Sequence, residues 1–374
     1  MSETPPPGPP VIGVSIIVPT YCEAQNIPVL FERLAAAMAG IAWEMIVVDD
    51  DSPDGTAGVA FALAQSDPRI RCLRRVNRMG LAGAAIEGFL SSSAPYVALI
   101  DGDLQHDETI LPAMFAALSA GKPNLAIATR TAPGGSIESG FTPGRQRLSD
   151  LGAWVFRKAS GQAIADPMSG FFMIRREIVA RIAARMSPDG FKPLVDILLA
   201  EGAALRVVEL PYVFRPRLAG ESKLSAQVGL DFLGLLAHHA SGGVLPSRFV
   251  LFALIGGLGL FVHLGVLKAL LTVWGPDSFA ASQLIATLTA MTSNFLLNNE
   301  ITYRSTRYRG LNKLAGLALF AVVCGVGVVA NIDVASWMFA VERVWWVAGF
   351  SGALVSVVWN YAVSSAFVWR RRRA

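Results

Sequence analysis

Four long apolar stretches in the second half of the chain constrain its fold more strongly than any other feature. They cover residues 249–271, 279–297, 314–332 and 345–368, with short polar loops between them. Each approaches or exceeds the roughly 20 residues that an α-helix needs to cross about 30 Å of hydrocarbon. A soluble domain would have to bury four such helices in succession. We therefore expect an all-α membrane domain of four transmembrane helices.

The overall composition agrees with a chain that is part soluble and part membrane-embedded. Of the 374 residues, 53% are hydrophobic and only 16% are charged, whereas soluble domains carry about 25% charged residues. This composition excludes a disordered chain and argues against a purely soluble enzyme. The formal net charge of +4 gives no reason to expect a nucleic-acid partner. Three scattered cysteines are too few for a disulfide framework or a zinc site.

Basic residues lie on one side of the predicted helices. Arg248 precedes the first helix, and residues 370–373 are four arginines that follow the fourth. The loop between the second and third helices carries four more, Arg304, Arg307, Arg309 and Lys313. The other two loops hold a single basic residue, Arg343. By the positive-inside rule, the first half of the chain, the middle loop and the C-terminus are predicted to be cytoplasmic.

The first half of the chain alternates short β-branched apolar runs with helical patterns. Strands are predicted over residues 14–18, 45–48, 70–73, 96–100 and 125–129, and helices over 27–38, 56–64, 81–90 and 110–118. This alternation predicts an α/β domain with a mostly parallel, Rossmann-like sheet covered on both faces. Ligands of such sheets bind at the carboxyl ends of the strands. Residues 1–13, which are rich in proline and lack the pattern of a signal peptide, are predicted to be a disordered lead-in.

Polar motifs follow the first two predicted strands. The first strand ends in V-P-T-Y-C-E, residues 18–23, and the second ends in three aspartates, Asp49, Asp50 and Asp51. Three adjacent carboxylates repel one another in a purely structural role, whereas ribose hydroxyls and base amines are donors that they can accept from. Neither glycine-rich phosphate motif of dinucleotide-binding and P-loop proteins is present. The alternative is that residues 52–55 only cap and turn into the following helix.

The fourth predicted strand ends in D-G-D-L-Q-H, residues 101–106. In an extended segment, residues two apart face the same side, so Asp101, Asp103 and Gln105 would converge on one hard divalent cation. Oxygen ligands suit Mg²⁺ or Mn²⁺, which also bridges diphosphate oxygens. His106 is more typical of a loop histidine than of a metal ligand.

Five motifs in a fixed order make the first half resemble a known family. V-P-T-Y-C-E, V-D-D-D-S-P-D-G-T, D-G-D-L-Q-H, D-P-M-S-G-F-F and R-P-R-L-A-G-E-S-K-L-S all lie between residues 14 and 239. Together they resemble the polyprenol (dolichol) phosphate mannosyltransferases, which are family 2 glycosyltransferases with the GT-A fold. Cys22 stands where that family commonly has asparagine. The second half resembles the GtrA-like family of four-span proteins, through its span count and through Asn294, Asn298, Thr302 and Tyr303.

The resemblance implies a set of site residues. The nucleotide sugar would be bound by Pro19, Tyr21, Glu23, Asp50, Asp101 and Ser222, and Mg²⁺ or Mn²⁺ by Asp101, Asp103 and Gln105. The lipid phosphate would be bound by Arg130, Arg145 and Ser149, although such arginines can also be ordinary surface charges. The candidate catalytic residues are Asp103, Arg217, Lys223 and Asp166. Arg217 and Lys223 would contact the donor diphosphate, while Asp166 would shape the acceptor side or only cap the following turn.

The resemblance further implies an inverting transfer of mannose from GDP-mannose to a polyprenyl phosphate. A phosphate monoester is largely dianionic at pH 7, with a second pKa of about 6, so no essential general base is expected. The implied domains are a GT-A domain at 14–224, an interfacial amphipathic helix and linker at 225–245, and a GtrA-like membrane domain at 246–374. The lipid bilayer is an expected partner, and a homo-oligomer is compatible with the sequence.

Three other functions share some of these features. Transfer from a UDP-sugar such as UDP-glucose to undecaprenyl phosphate would use the same metal and lipid-phosphate motifs. A lipid-sugar flippase with a nucleotide-binding domain would require binding but no turnover. The sequence argues against a processive polysaccharide synthase, because it has no Q-x-x-R-W motif.

Overall fold

The computed structural model describes most of the chain. The described residues are 12–76, 80–130, 136–137, 154, 156–158, 160–187, 192–215, 234–237, 239, 241, 245–303, 306–342 and 345–369. The chain forms two compact units, Met1–Gly243 and Val244–Ala374, called the first and second units.

The first unit is built on a seven-stranded sheet. Its strands are β1 (Val14–Thr20), β2 (Trp43–Asp49), β3 (Ile70–Arg74), β4 (Tyr96–Leu99), β5 (Leu125–Thr129), β7 (Phe172–Arg175) and β8 (Val207–Pro211). They lie in the order β3-β2-β1-β4-β7-β5-β8, and only β7 runs antiparallel to its neighbours. A separate parallel pair joins β6 (Ser136–Ile137) to β9 (Val213–Phe214). The predicted mostly parallel sheet is confirmed.

Helices cover both faces of the sheet. They are α1 (Asn26–Ala37), α2 (Thr56–Ser66), α3 (Leu81–Ser91), α4 (Leu111–Ser119), α5 (Arg176–Ile182) and α6 (Pro193–Glu201). Along β1, Val14, Ile16 and Val18 pack into one apolar core and Ile17 packs into the other, because side chains alternate along a strand. Every residue of β1 and β2 is buried. A strand buried on both faces has a continuous apolar run, which is the pattern that the sequence shows.

The second unit is helical in its described residues. Its long helices are α7 (Ser247–Trp274), α8 (Phe279–Leu297), α9 (Asn312–Glu342) and α10 (Trp345–Val363). α7 packs mainly on α8, and α9 mainly on α10, so the unit consists of two helical hairpins. Within the described residues, the helix over Arg248–Trp274 is the one that is long and apolar enough to cross a membrane. The count of four spans stays a prediction.

The segment predicted to be an interfacial helix, residues 225–245, is described only in part. Residues 234–237 are helical, and Leu235 is 4% exposed because it packs into an apolar core of the first unit. His239 Nε2 lies 2.5 Å from Oδ1 of the buried Asp196. Protein therefore covers the Leu235 side chain, and the interfacial helix over residues 225–245 stays a prediction.

Candidate active site

The carboxyl ends of β1, β2 and β4 form the centre of the candidate site. β1 lies between β2 and β4, with α-helical crossovers on both sides, and ligands of open α/β sheets bind at such a switch point. Within the described residues, three residues other than glycine have a positive φ: Cys22 (62°), Asp51 (56°) and Leu104 (62°). Each of them follows one of these strands. Backbone strain of this kind concentrates at functional sites.

Hydrogen bonds join the loop after β1 to the loop after β2. The carboxylate of Asp49 accepts from Thr20 Oγ1 at 3.0 Å and from Ser52 Oγ at 2.6 Å. Ser52 Oγ in turn accepts from the backbone N of Cys22 at 3.0 Å. Gly55, with φ of 85°, provides the turn into α2. Asp49 and Ser52 therefore hold the two loops together and so fix the V-P-T-Y-C-E segment.

The other two aspartates after β2 pair with arginines at the end of β3. Arg75 Nη1 donates to Asp50 Oδ1 at 2.5 Å, and the backbone N of Gly80 donates to Oδ2 at 2.7 Å. Arg74 forms an ion pair with Asp51, at 2.5 Å. Burial raises the pKa of Asp50, while the hydrogen bond from Gly80 and the charge of Arg75 oppose that rise. The repulsion expected within the triplet is thus balanced by cations on the neighbouring strand.

Sequence reasoning missed Arg75, although a signal for it exists. In the register of β2 and β3, Asp49 is the partner of Arg74, so the next residues along each strand also lie near each other. Two arginines that end a strand beside three aspartates are therefore expected to pair with them. Recognising this pairing requires knowing that β3 lies beside β2 in the sheet, and the sequence does not show the strand order.

The D-G-D-L-Q-H segment is a turn rather than the extended strand end that the sequence argument assumed. β4 ends at Leu99, before the motif begins. The Asp101 side chain is 37% exposed, whereas Asp103 is 8% exposed. Gln105 Nε2 donates to the backbone O of Arg215 at 3.1 Å. Alternation along a strand therefore cannot be what brings the two carboxylates together.

Tyr212 lies at the centre of the charged groups of the site. Its hydroxyl is 2.9 Å from His106 Nδ1, and His106 Nε2 is 3.2 Å from Asp101 Oδ2. Burial raises the pKa of Tyr212, and four charged groups lie close enough to act on it: Arg130 lowers it, while Asp166, Asp101 and Asp103 raise it. Asp101 and Asp103 therefore share the surroundings of Tyr212 with Arg130 and Asp166, two residues predicted to serve the acceptor.

The sequence analysis did not single out Tyr212, and it treated His106 as an ordinary loop residue. Tyr212 directly follows β8, a strand with no counterpart among the predicted ones, so its place at the sheet edge was hidden. The ring of His106 packs against Phe171 and Phe214, with centroids 5.2 and 5.5 Å apart. Buried among aromatic rings and bonded at both nitrogens, His106 has a fixed orientation toward Asp101.

Arg130 and Asp166, which were predicted separately, form one pair. Arg130 Nε donates to Asp166 Oδ2 at 2.9 Å, and the guanidinium lies 5.2 Å from the ring centroid of Phe214. The side chains are only 12% and 3% exposed. A buried carboxylate that binds Nε fixes the plane of the guanidinium. Asp166 therefore orients Arg130, a contact that the capping alternative does not include.

Glu209 of β8 holds the start of the D-P-M-S-G-F-F motif. Its carboxylate accepts from the backbone N of Ala165 at 3.0 Å and from that of Asp166 at 3.4 Å. Burial raises the pKa of Glu209, and the two backbone hydrogen bonds oppose that rise. The Asp166 side chain is thus positioned by a carboxylate on the sheet.

Arg215 fixes the start of the R-P-R motif against the D-G-D-L-Q-H turn. Its guanidinium donates to Asp107 Oδ1 and to Glu108 Oε2, each at 2.8 Å. Its backbone N donates to the backbone O of Gln105 at 2.8 Å. The chain that leads into Arg217 therefore begins beside the predicted metal ligands.

The surroundings of Asp101 fit a divalent cation. A Cβ at Gly170 would lie 2.9 Å from Asp101 Oδ2, so glycine keeps the space around this carboxylate open. Among the described residues, no three His, Cys, Asp or Glu side chains form a metal-binding group. A cation held by Asp101, Asp103 and the amide oxygen of Gln105 would complete its shell with water or substrate oxygens, which is usual for Mg²⁺.

The remaining predicted residues are only partly placed. Pro19 is buried in β1 opposite Val48, Tyr21 is 39% exposed, and Glu23 Oε2 accepts from Asn26 Nδ2 at 2.5 Å. All three lie at or after the carboxyl end of β1, on the same edge as Asp50. Five predicted residues lie outside the described part of the chain: Arg145, Ser149, Arg217, Ser222 and Lys223. Their roles stay predictions.

Two family models match this chain. Residues 15–183 match the model described as "Glycosyl transferase family 2", and residues 251–369 match "GtrA/DPMS, transmembrane domain". The two matches fall in the first and second units respectively.

Curated relatives match one or both units. The dolichol-phosphate mannosyltransferase of Pyrococcus furiosus is 31% identical over 359 residues, which cover 95% of this chain and 99% of that protein. The dolichol-phosphate mannosyltransferase of Saccharomyces cerevisiae is 33% identical over 230 residues, which cover 59% of this chain and 85% of that protein. The polyprenol monophosphomannose synthase of Mycolicibacterium smegmatis is 32% identical over 216 residues, which cover 56% of this chain and 80% of that protein.

Proposed function

This chain belongs to the dolichol-phosphate mannosyltransferase family, and from that premise we propose that it transfers mannose from GDP-mannose to a polyprenyl phosphate with inversion at the anomeric carbon. The observation that carries the proposal is the continuous set of contacts that runs from Asp101 through the rings of His106 and Phe214 to Arg130, which pairs with Asp166. Carboxylates for a metal-bound diphosphate and an oriented arginine for a second phosphate are the groups that this reaction needs at one place.

The acceptor in this proposal is a phosphate oxygen. It attacks C1 of mannose while the bond from C1 to the diphosphate breaks and GDP leaves with both electrons. Because the acceptor phosphate is largely dianionic at pH 7, no side chain has to remove a proton. Attack from the face opposite the diphosphate gives the β-linked lipid product.

Arg130 is proposed to bind the acceptor phosphate, together with Arg145 and Ser149. A planar guanidinium matches two phosphate oxygens better than a lysine ammonium does. Asp166 supports this role because its hydrogen bond from Nε fixes the plane of the Arg130 guanidinium. Asp166 is thus a positioning residue rather than a base.

Asp101, Asp103 and Gln105 are proposed to hold Mg²⁺ or Mn²⁺. When bound, the cation would neutralise charge that develops on the leaving diphosphate. Arg217, Ser222 and Lys223 are proposed to contact the same diphosphate. The hydrogen bonds from Tyr212 through His106 to Asp101 support this assignment, because they orient one carboxylate before any ligand is bound.

The guanosine part of the donor is proposed to bind beside β1 and β2. Pro19, Tyr21 and Glu23 lie on the first loop, and Asp50 lies on the second. An ionised carboxylate has about four acceptor sites. Asp50 therefore has acceptor capacity for ligand donors in addition to its bonds from Arg75 and Gly80.

We further propose four membrane spans, with the first unit and the C-terminus cytoplasmic. The match of residues 251–369 to a transmembrane domain supports this, as do the four helices and the basic loop between α8 and α9. The acceptor's isoprenoid tail would stay in the bilayer while its phosphate stays in water. The GT-A domain would extend over 14–224 and the membrane domain over 246–374, joined by 225–245.

A transfer assay tests the function directly. The full-length protein in nanodiscs is given radiolabelled GDP-mannose or UDP-glucose with a polyprenyl phosphate and Mg²⁺ or Mn²⁺. We expect labelled lipid from GDP-mannose only, none in EDTA, and a β anomer by the C1–H1 coupling of the product. Lipid labelled only from UDP-glucose would support the UDP-sugar alternative. Nucleotide binding without turnover for either donor would support the flippase alternative.

The acceptor assignment has a separate test in Arg130→Ala. Loss of one charge-assisted contact is worth roughly 1.5–3 kcal/mol, so kcat/KM for the lipid should fall about 10- to 100-fold. Arg130→Lys should recover only part of this. Arg181→Ala is the matched control, because Arg181 pairs with Glu201 and its side chain is 58% exposed. An Arg130→Ala enzyme with unchanged lipid titration but lost GDP-mannose binding in calorimetry would contradict the assignment.

A further inference from the structure

Two sequence patterns occur twice in the second unit, in the same order. L-F-A-x-x-x-G-x-G spans residues 251–259 in α7 and recurs at 319–327 in α9. N-[FY]-x-x-[NS]-[NS]-x-x-x-[YW]-R spans residues 294–304 after the first and recurs at 360–370 after the second. Each hairpin therefore carries one copy of both patterns.

The local structure repeats with the sequence. Residues 252–259 and 320–327 show the same succession of buried, half-buried and exposed positions, without a mismatch. α8 and α10 both continue into a single π-helical turn, Asn298–Thr302 and Ser364–Val368. The next residue closes that turn in both copies: Tyr303 N donates to Asn298 O at 2.8 Å, and Trp369 N donates to Ser364 O at 2.9 Å.

Each hairpin also packs an asparagine of its second helix onto a glycine of its first. A Cβ at Gly259 would collide with the amide of Asn294, and a Cβ at Gly327 would collide with the amide of Asn360. Both asparagine Oδ1 atoms are buried without a hydrogen-bond partner in the described part of the unit. An amide seated on a glycine lets two helices approach closely, as small residues do in membranes.

The contacts between the hairpins are reciprocal. Tyr303 and Trp369 hold the same place in the two copies, and they stack on each other with ring centroids 4.2 Å apart and planes 3° apart. Trp369 Nε1 donates to Asn299 Oδ1 at 3.2 Å. The corresponding pair with the copies exchanged is Tyr303 and Ser365, and their hydroxyl oxygens lie 2.6 Å apart.

The aromatic contacts between the hairpins also occur in equivalent pairs when the two copies are interchanged. Phe295 of the first copy contacts Phe320 of the second, with centroids 5.9 Å apart. Their counterparts are Tyr361 of the second copy and Phe252 of the first, whose centroids are 5.7 Å apart. When residue i touches j and the equivalent of i touches the equivalent of j, the interface is that of a two-fold pair.

We infer that the second unit is a duplicated helical hairpin whose two copies, 247–303 and 312–369, associate through one self-complementary face around a two-fold axis at the Tyr303–Trp369 stack. The surface that each hairpin presents therefore fits a second copy of the same hairpin. Since the last turns of both copies meet in the stack, the copies run in the same direction, and the basic residues that follow each copy are expected on one side of the membrane. This inference does not depend on the proposed transfer reaction.

An exchange of aromatic residues in the full-length protein tests the axis. Tyr303→Trp and Trp369→Tyr alter the stack singly, while the double variant swaps equivalent positions and keeps the total volume. We expect the double variant to recover most of the thermal midpoint that the single variants lose. The control swaps a contacting but non-equivalent pair, Phe295→Trp with Trp369→Phe, and should recover little. Equal recovery in both swaps, or none in the first, would overturn the two-fold.

Four glycines test the repeated packing within each copy. Gly259→Ala and Gly327→Ala should each lower the thermal midpoint, by roughly 2–10 °C. Gly257→Ala and Gly325→Ala should not, because no atom lies within 4 Å of a Cβ at either position. Asn294→Ala should restore the thermal midpoint of Gly259→Ala, and Asn360→Ala should restore that of Gly327→Ala. Neither asparagine substitution should restore the thermal midpoint of the glycine variant in the other copy. A loss at only one of Gly259 and Gly327, or a crosswise rescue, would show that the copies do not share this contact.

Discussion

At the scale of single residues, His106 illustrates how a buried side chain can orient a proposed metal ligand. Its two ring nitrogens bond to Tyr212 and Asp101, and its ring is held between aromatic neighbours. His106→Phe keeps the packing and removes both bonds. We expect Mn²⁺ affinity, measured by electron paramagnetic resonance in the presence of GDP, to fall about 10- to 100-fold. Tyr212→Phe, which leaves the bond to Asp101, should cause a smaller loss.

The thermal midpoint of the same variants provides the control. In the absence of metal and nucleotide, Tyr212→Phe should lower it by about as much as His106→Phe, because the bond between Tyr212 and His106 is lost in both variants. Wild-type Mn²⁺ affinity in this variant would mean that Asp101 needs no support from His106.

Glu209 gives a residue-scale prediction on pH. Burial raises its pKa in the folded state above the unfolded value, so the folded chain holds this proton more tightly. The contribution of protonated Glu209 to the free energy of unfolding is complete below its unfolded pKa, and it is lost as the pH rises through its folded pKa. Glu209→Gln keeps an oxygen for the backbone N of Ala165 but cannot ionise.

Compared with wild type, Glu209→Gln should therefore gain stability as pH rises from about 4 toward neutrality. The measurement is the difference in thermal midpoint between the two proteins at several pH values. Asp67→Asn serves as a control, because its thermal midpoint relative to wild type should change with pH in the opposite direction. The hydrogen bond from Arg69 lowers the pKa of Asp67. A constant difference for Glu209→Gln across this range would contradict the role of burial.

At the scale of elements, the packing of α3 on the sheet depends on Gly88. A Cβ there would collide with Ile17 Cγ2 and lie 3.1 Å from Val48 Cγ2, and both side chains are fully buried. Gly88→Ala should cost about 1–3 kcal/mol of unfolding free energy through overpacking. Gly58→Ala in α2 is the matched control, because a Cβ there meets no atom within 4 Å.

Gly58→Ala should stabilise the chain by about 0.4–1 kcal/mol, since alanine restricts the unfolded backbone. Chemical unfolding monitored by tryptophan fluorescence measures both variants. Equal stability of Gly88→Ala and Gly58→Ala would show that α3 can shift away from the sheet at little cost.

The elements that the sequence predicts well are those with long, buried apolar runs. β1 and β2 are buried throughout, and the bounds of α1 to α4 differ from the predicted ones by at most two residues at either end. β7 runs antiparallel between β4 and β5, and β8 carries Glu209 at its centre and Pro211 at its end. Their strand character comes from pairing with β4 and β5, which is a long-range effect that a local pattern does not contain.

The residues of the candidate site also divide into those that a local sequence pattern predicts and those that depend on long-range pairing. Motif aspartates such as Asp50 and Asp101 are recognisable because they follow predicted strands. Arg75, which pairs with Asp50, and Tyr212, which is linked to Asp101 through His106, directly follow β3 and β8. The positions of these strands are set by the sheet order, so no local pattern marks the two residues. The turn after Asp101 includes Leu104 in the left-handed conformation. Leucine at that position gives no indication of this conformation.

At the scale of the whole molecule, the proposed duplication of the second unit predicts on which side of a membrane each of its loops would lie. Two hairpins that run in the same direction return the chain to its starting side after each copy. The basic residues after the first copy and after the second would then share one side, which the positive-inside rule predicts to be the cytoplasm. The short turn between α7 and α8, residues 275–278, is predicted to lie on the opposite side.

Cysteine labelling in intact cells tests this arrangement. In a background with Cys22, Cys72 and Cys324 replaced, Asp277→Cys and Arg309→Cys put one thiol in each loop, and both native side chains are exposed. An impermeant maleimide should label Asp277→Cys in intact cells and Arg309→Cys only after permeabilisation. Labelling after denaturation is the control that both thiols are present. The reverse pattern would place the first unit outside, and labelling of both thiols from outside would mean that α8 does not cross the membrane, because a helix that spans the bilayer must separate its two ends.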